Sequence, residues 1–526
     1  ALEVARAGGD RQGEWRALHA LGMLWAARDY QRAGRFREDA LAVARTIDDP
    51  ALVAHSLNRV GNWYVNRERP QEGIPHHDEA LAIFERAGDE RGVAETVDLL
   101  AMAYHLAGEQ EASSALYERS IELFTALDDR RGLANALGVF VLCGPSHQTS
   151  AGPAATSSQT EEVLSSERPV RLASEIGWRA GEAFTRYLLA DCLAWRGEYA
   201  RALRIARESL SIALELEHLE WQSGARRVLG HIALDLCAPH EALAPLESAH
   251  AVARRLGSAT WTRWTGAPLA IALARAGHPE RATGLLDEVD RLVASPSDVS
   301  SGVHGTLGQQ QLAFARAEVM LTRDDPVGAL AAIDGADRGR VPRAALLSAR
   351  ALVELQRWDE ATEALDLARA GSRQQNARSL LWRIDAVQGA VHLGMRQRLE
   401  ARRSFDAARA AAFDLVTGVD DATLVAAFRA GVDQVAPPPP EPTISQATKA
   451  AYGGLTRRER DTAALIAQGK SNRAIARALG IGERTVEGYV AAALAKLGFE
   501  SRAQIAVWAA EQGLSAPGTT GSPYTS

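Results

Sequence analysis

Residues 455–504 read LTRRERDTAALIAQGKSNRAIARALGIGERTVEGYVAAALAKLGFESRAQ, and the punctuation of this stretch sets the fold of the C-terminal end. Thr456-Arg457-Arg458-Glu459 is a capping box. The Thr hydroxyl and the Glu carboxylate each satisfy an orphan backbone N–H, so a helix begins near Arg457. Ala464, Leu465 and Ile466 supply its apolar stripe, and Gly469 ends it as a left-handed C-cap does. Ser471 caps a second helix whose inward face is Ile475, Ala476 and Leu479. Gly480-Ile481-Gly482 makes a tight turn, with Ile481 filling the space between helices. The third helix runs from Glu483 to about Lys496, and Val486, Val490, Ala493 and Leu494 mark its buried side at three- and four-residue spacing. Arg484, Thr485, Glu487, Gly488, Ala491 and Ala492 lie opposite. About fourteen residues at 1.5 Å each give a rod of ~21 Å, enough to cross a DNA major groove about 12 Å wide. Leu497-Gly498 closes this helix, and Ser501 with Gln504 forms a second capping box for a fourth.

Charge separates this module from the rest. Over residues 453–512 nine Lys and Arg face six acids, a net +3 that leaves −10 for the remainder of a chain of −7. Such asymmetry sets a DNA-facing module apart from an acidic body.

From Gly469 through Asn472, Ile475, Ala476, Leu479, Ile481, Thr485, Val486 and Ala492 to Lys496, the spacing resembles the LuxR-type helix-turn-helix signature. Leu455-Thr456, Arg458-Glu459, Lys496-Leu497-Gly498 and Ser501-Arg502 match its flanks. The resemblance covers about 60 of 526 residues. It implies a third helix lying in the major groove of duplex DNA, where Arg484, Thr485, Glu487, Gly488 and Ala491 meet the bases or backbone. It also implies that Ser471, Asn472 and Arg473, at the start of the second helix, and Lys496 face phosphates, and that the fourth helix supports a homodimer. Four positions depart from the family pattern. Glu487 stands where many members carry a base, Gly488 and Ala491 are shorter than usual, and Gly482 replaces a Ser cap. A carboxylate accepts from cytosine N4 but is otherwise unfavourable near phosphates, so affinity per half-site is expected to be modest.

Working outward, the first 430 residues repeat with a period near 40. Asp89-Glu90-Arg91-Gly92-Val93-Ala94 returns as Asp129-Arg130-Arg131-Gly132-Leu133-Ala134. An offset pattern of small, Ala, large apolar and small recurs at Gly230/Ala242/Leu246/Ala249, Ala349/Ala361/Leu365/Ala368 and Gly389/Ala401/Phe405/Ala408. A looser copy is Ala270/Ala282/Leu286/Val289. Small side chains on one helix let a second approach, and the large residue fills the groove between them. These offsets resemble the tetratricopeptide repeat, in the longer form of MalT-like regulators, which implies a superhelix with a concave ligand- or peptide-binding face. The fold expected is all-α: a tetratricopeptide-like helical-hairpin solenoid over 1–430, about ten hairpins, then a four-helix LuxR-type domain over 453–512.

Three segments interrupt the pattern. Gly144 to Pro169, rich in Ser, Thr, Gly and Pro, reads as an exposed mobile insertion, and Ser295 to Gly305 as a shorter one. Residues 431–452, centred on Ala436-Pro437-Pro438-Pro439-Pro440-Glu441-Pro442, read as an extended linker, and 513–526 as a disordered tail.

Several functions are weighed and set aside. Gly469-Lys470-Ser471 lacks the glycine a phosphate-binding loop needs at position 464, which is Ala, and follows no strand. Cys143, Cys192 and Cys237 form no close pair, so neither a disulfide framework nor a zinc site is expected and a reducing cytoplasm fits. His76-His77 lack companion ligands and read as surface or loop residues. Arg226-Arg227 and Arg402-Arg403 read as solvated helix faces. Trp178, Trp221 and Trp261 recur 43 and 40 residues apart, before the first helix of successive hairpins, and read as packing positions rather than a ligand face. No apolar run suits a membrane span, no nucleophile–base set stands out, and neither enzymatic activity nor a cofactor is expected. The chain opens on Ala1 in what reads as the end of a helix, so an upstream part is expected; large LuxR-type regulators with this ending carry an ATPase domain there.

The expected function is a cytoplasmic regulator that binds duplex DNA through its C-terminal domain while the solenoid senses a ligand or partner protein, with RNA polymerase or a signalling protein as a further partner. The alternatives are a repeat scaffold with a degenerate DNA-binding head, and a fragment of an ATP-dependent signalling regulator.

Overall fold

The computed structural model describes residues 1–26, 28–141, 167–293, 305–438 and 444–514. Every regular element among the described residues is an α-helix, and the contacts divide the chain into two compact units, Ala1–Pro438 and Pro439–Ser526. The tail from Ser515 and Cys143 lie outside the described residues, as does nearly all of both expected insertions. The last residues of the first one open a helix instead, Arg168–Glu175, in which Pro169 occupies the first turn and is buried.

In the larger unit, helices of 13 to 18 residues pair antiparallel, as in Leu219–Asp235 with Pro239–Leu256 and Arg378–Gly394 with Arg398–Leu415. Some helix starts in this unit are marked by short acceptor side chains: Asp89 Oδ1 accepts from Gly92 N at 3.0 Å, and Asp421 Oδ1 from Leu424 N at 3.2 Å. Their turns repeat with the sequence: Gly197, Cys237 and Gly277 each take a left-handed φ (78°, 54° and 89°), forty residues apart. Cys237 therefore occupies a position where its neighbouring repeats carry glycine.

The offset pattern is a packing rule. A Cβ placed on Gly230 would lie 2.3 Å from Leu246 Cγ, and one on Gly389 would lie 2.4 Å from Phe405 Cε1. Ala242, Leu246 and Ala249 are buried, as are Ala349, Ala361, Leu365 and Ala368. The small residue is thus a socket for the large one sixteen positions later, at the close interaxial distance that Ala and Gly permit.

The solenoid also bonds to itself across long separations. Tyr30 donates to the Glu220 carboxylate, Arg263 pairs with Glu68, and Thr306 Oγ1 donates to Glu68 Oε2 at 2.9 Å, contacts spanning 190 to 238 positions. Arg207 Nη2 reaches Asp421 Oδ2 at 3.2 Å across 214 positions. Non-neighbouring hairpins are therefore stitched together as well as adjacent ones.

Four expectations for this unit and its linker are corrected. Arg227 is not solvated: it is 1% exposed and donates to Asp191 Oδ2 at 2.7 Å, a carboxylate on a helix 36 positions earlier. His77 is fully buried inside helix Pro70–Ala87, its Nδ1 at 3.0 Å from Asn58 Oδ1. Only Trp178 precedes its helix; Trp221 and Trp261 sit in the first turns of theirs. They do pack: Trp221 lies 4.7 Å from Phe184 and stacks on His218, and Trp261 is buried. The expected linker is largely helical where it is described, with Ala422–Val435 running into it and Ile444–Ala451 filling its second half. Residues 439–443, most of its proline run, lie outside the described residues.

Candidate nucleic-acid interface

The smaller unit has its own core. Leu455, Ala463, Ile475, Val486, Ile505 and Ala509 are buried together, with Leu479, Ile481, Val490 and Trp508 packed on them. Around it run four helices, Arg457–Ala467, Asn472–Leu479, Glu483–Leu497 and Arg502–Glu511. Their ends are locally encoded. Thr456 Oγ1 accepts from Glu459 N while Glu459 Oε2 accepts from Thr456 N at 2.7 Å, and Ser501 and Gln504 repeat the arrangement. Gly469, Gly480 and Gly498 take left-handed φ values of 71°, 66° and 67° after the first three helices.

Helix Glu483–Leu497 buries Val486 and Ala493 and turns Arg484, Thr485, Glu487, Gly488 and Ala491 to solvent. Arg484, Glu487, Gly488 and Ala491 stand at i, i+3, i+4 and i+7, one face of a helix. No heavy atom lies within 4 Å of a Cβ built on Gly488, so this face is open at its centre. Gly482 caps the helix with no side-chain bond, leaving its first N–H groups available to an anion.

Ser471 and Arg473 are exposed at the start of Asn472–Leu479, where Ser471 Oγ accepts from Ala474 N at 3.3 Å. Asn472 is engaged inside the domain. Its Oδ1 accepts from Arg502 Nη1 at 2.6 Å, and Arg502 Nη2 donates to the Lys470 carbonyl at 2.7 Å. The fourth helix thereby holds the turn that positions the second. Lys496 is also engaged: its Nζ donates to both oxygens of the buried Glu459 carboxylate at 2.6 Å. Burial raises the pKa of Glu459, but the Lys496 ammonium and the Thr456 N–H outweigh it and hold the carboxyl below its ordinary value.

The nine expected site residues therefore divide. Arg484, Thr485, Glu487, Gly488, Ala491, Ser471 and Arg473 are open to solvent, while Asn472 and Lys496 make internal bonds. The sequence reading missed Glu459 and Arg502 as organisers; both lie within the matched flanks, where their contribution looked local. Exposed Arg457, Arg458, Lys470 and Arg477 add further positive charge to the module.

Residues 454–509 match the family described as bacterial regulatory proteins, luxR family, and residues 52–126 match the tetratricopeptide repeat. The chain is 48% identical over 66 residues to an uncharacterized transcriptional regulatory protein, YhcZ, of Bacillus subtilis (strain 168), covering 12% of this chain and 31% of that one. It is 45% identical over 64 residues to the DNA-binding transcriptional activator DevR/DosR of Mycobacterium tuberculosis, covering 12% and 30%. The chain thus spans about a third of the length of the curated relatives it matches. Among solved structures, a Rap protein complexed with competence and sporulation factor aligns at 11% identity and a TM-score of 0.44, over 80% of this chain and 100% of that one.

Proposed function

With residues 454–509 a luxR-type helix-turn-helix domain, we propose that this chain regulates transcription by holding duplex DNA in the major groove. The observation that carries this reading is the open face of Glu483–Leu497. Arg484, Thr485, Glu487, Gly488 and Ala491 are solvent-exposed on a helix whose other side is locked into a core. Arg484 and Thr485 supply hydrogen bonds to base edges or phosphate, Glu487 accepts from cytosine N4, and Gly488 and Ala491 let the helix approach closely. Arg473 and the exposed N-terminus of the second helix engage the backbone. Lys496 acts chiefly by orienting the recognition helix through Glu459.

One such head presents few polar groups, so two heads on one paired site are needed for tight binding, and the avidity of a homodimer supplies this without new contacts. The repeat body, acidic overall, receives the signal as a ligand or partner protein and changes self-association. Mapping the sites occupied by the full chain in the cell tests the proposal. Enriched sites with paired half-sites spaced by about 10–10.5 base pairs or its multiples are expected. Absence of any enriched site above an untagged control contradicts it.

A further inference from the structure

The inner helices of the repeat body enclose a cavity of about 820 Å³, lined by Leu219–Asp235, Ala259–Arg275, Leu307–Leu321, Pro342–Glu354, Arg378–Gly394 and Ala422–Val435. That volume lies in the range of small-molecule sites, roughly 300–1,000 Å³. Its walls are mixed: Ile271, Leu346 and Leu380 are buried and apolar, and five arginines stand among them.

The charges do not balance. Glu318 gathers three guanidiniums, with Arg350 Nη1 at 2.9 Å, Arg275 Nη2 at 3.1 Å and Arg343 Nη2 at 4.0 Å. Arg383 Nη2 donates to the Asp235 carbonyl at 2.6 Å and lies 3.9 Å from its carboxylate, while Arg227 is taken by Asp191. Set against the lining acids Glu318, Asp235 and Glu354 and the Asp191 that takes Arg227, the five lining guanidiniums leave one positive charge in excess, inside a body that is acidic overall. Burial pushes Arg343 below its ordinary value and pushes His231, which also lines the cavity, toward its neutral form. A cluster with a net positive charge in such surroundings is costly unless an anion joins it.

We propose that this cavity binds a small organic anion, one anionic head on an apolar body, with the head at Arg343 and Arg350 and the body along Ile271, Leu346 and Leu380. The proposal deepens the sensing role given to the repeat body. It is tested without DNA, so its failure is separable from failure of the DNA-binding reading.

The test is fluorescence titration of the full chain with 8-anilinonaphthalene-1-sulfonate, followed by displacement with octanoate, octyl phosphate and octanol. Saturable one-to-one binding is expected, displaced at least tenfold more effectively by octanoate or octyl phosphate than by octanol; the better of the two identifies the head as carboxylate or phosphate. Arg343→Gln and Arg350→Gln should each cut that preference at least fivefold. Ala390→Trp, which fills the cavity, should weaken dye binding at least tenfold. Octanol competing as well as the anions overturns the proposal, as does wild-type binding by a correctly folded Ala390→Trp. Where a cavity variant fails to fold by circular dichroism, Arg350→Gln decides the matter: its side chain is 33% exposed, and unchanged anion preference in it overturns the proposal.

Discussion

Lys496 donates to both carboxylate oxygens of Glu459 at 2.6 Å, joining the last turn of the recognition helix to the capping box of the first helix. One buried carboxylate thus does two jobs, closing a helix start and tying down the helix proposed to meet DNA.

Lys496→Met leaves Glu459 buried with only its capping partners, and should destabilise the C-terminal unit by about 1–3 kcal/mol. Chemical denaturation of residues 439–526 alone, where Trp508 is the one tryptophan, followed by fluorescence measures this. The effect on DNA affinity should follow the fraction folded; a loss of affinity at unchanged stability would instead assign Lys496 to phosphate contact.

Because the Glu459 pKa is lower in the folded state, its stabilisation is present above the ordinary value of 4.5 and is lost as pH falls from there through the depressed folded value. Glu459→Gln should flatten the acid limb of the unit's stability against pH. An identical acid limb in wild type and variant contradicts this.

Gly488 is exposed in mid-helix with open space where a Cβ would stand. Gly488→Ala should therefore stabilise the domain by about 0.5–1 kcal/mol through helix propensity alone. A lower melting temperature for this variant would show that the glycine is needed for something in the free protein.

In the repeat body, removing one partner of the buried Arg227–Asp191 pair strands the other charge. Asp191→Leu and Arg227→Met should each cost about 3–5 kcal/mol, and the two combined should recover much of it. Urea denaturation of the four proteins in the cycle gives the coupling.

Burial pushes several histidines of the body down, among them His77 to about 3 and His105 and His250 to about 4. Each stays neutral when folded but binds a proton when unfolded below its ordinary value of 6.5. Body stability should accordingly fall as pH drops from 6.5 toward 4, by up to ~1.4 kcal/mol per pH unit for each. Melting temperatures across this window check the slope, and His77→Asn with His105→Gln should reduce it.

What was legible in the sequence follows the range of each interaction. Both capping boxes and the left-handed glycines after three helices act within five residues, and their residues name them. The repeat offsets were legible because Leu246 and Phe405 need sockets at a constant distance along the chain, at Gly230 and Gly389. The bonds between helices of the smaller unit were not. Arg502 reaches Asn472 across 30 positions and Lys496 reaches Glu459 across 37, so both looked like free polar groups. Arg227 looked solvated because its partner lies one hairpin earlier, and His77 looked like a surface residue because Asn58 sits on the helix before it. The cavity required arginines from several repeats to converge, which no periodicity announces.

The most direct test of the account is the affinity of the full chain for duplex DNA as salt is raised from about 50 to 200 mM. The account predicts a steep linear fall of log affinity with log salt, a slope reduced by about 1 in Arg473→Ala, and a loss of about 1–3 kcal/mol in Arg484→Ala on its preferred site. Negligible, salt-independent binding that neither substitution alters would contradict it.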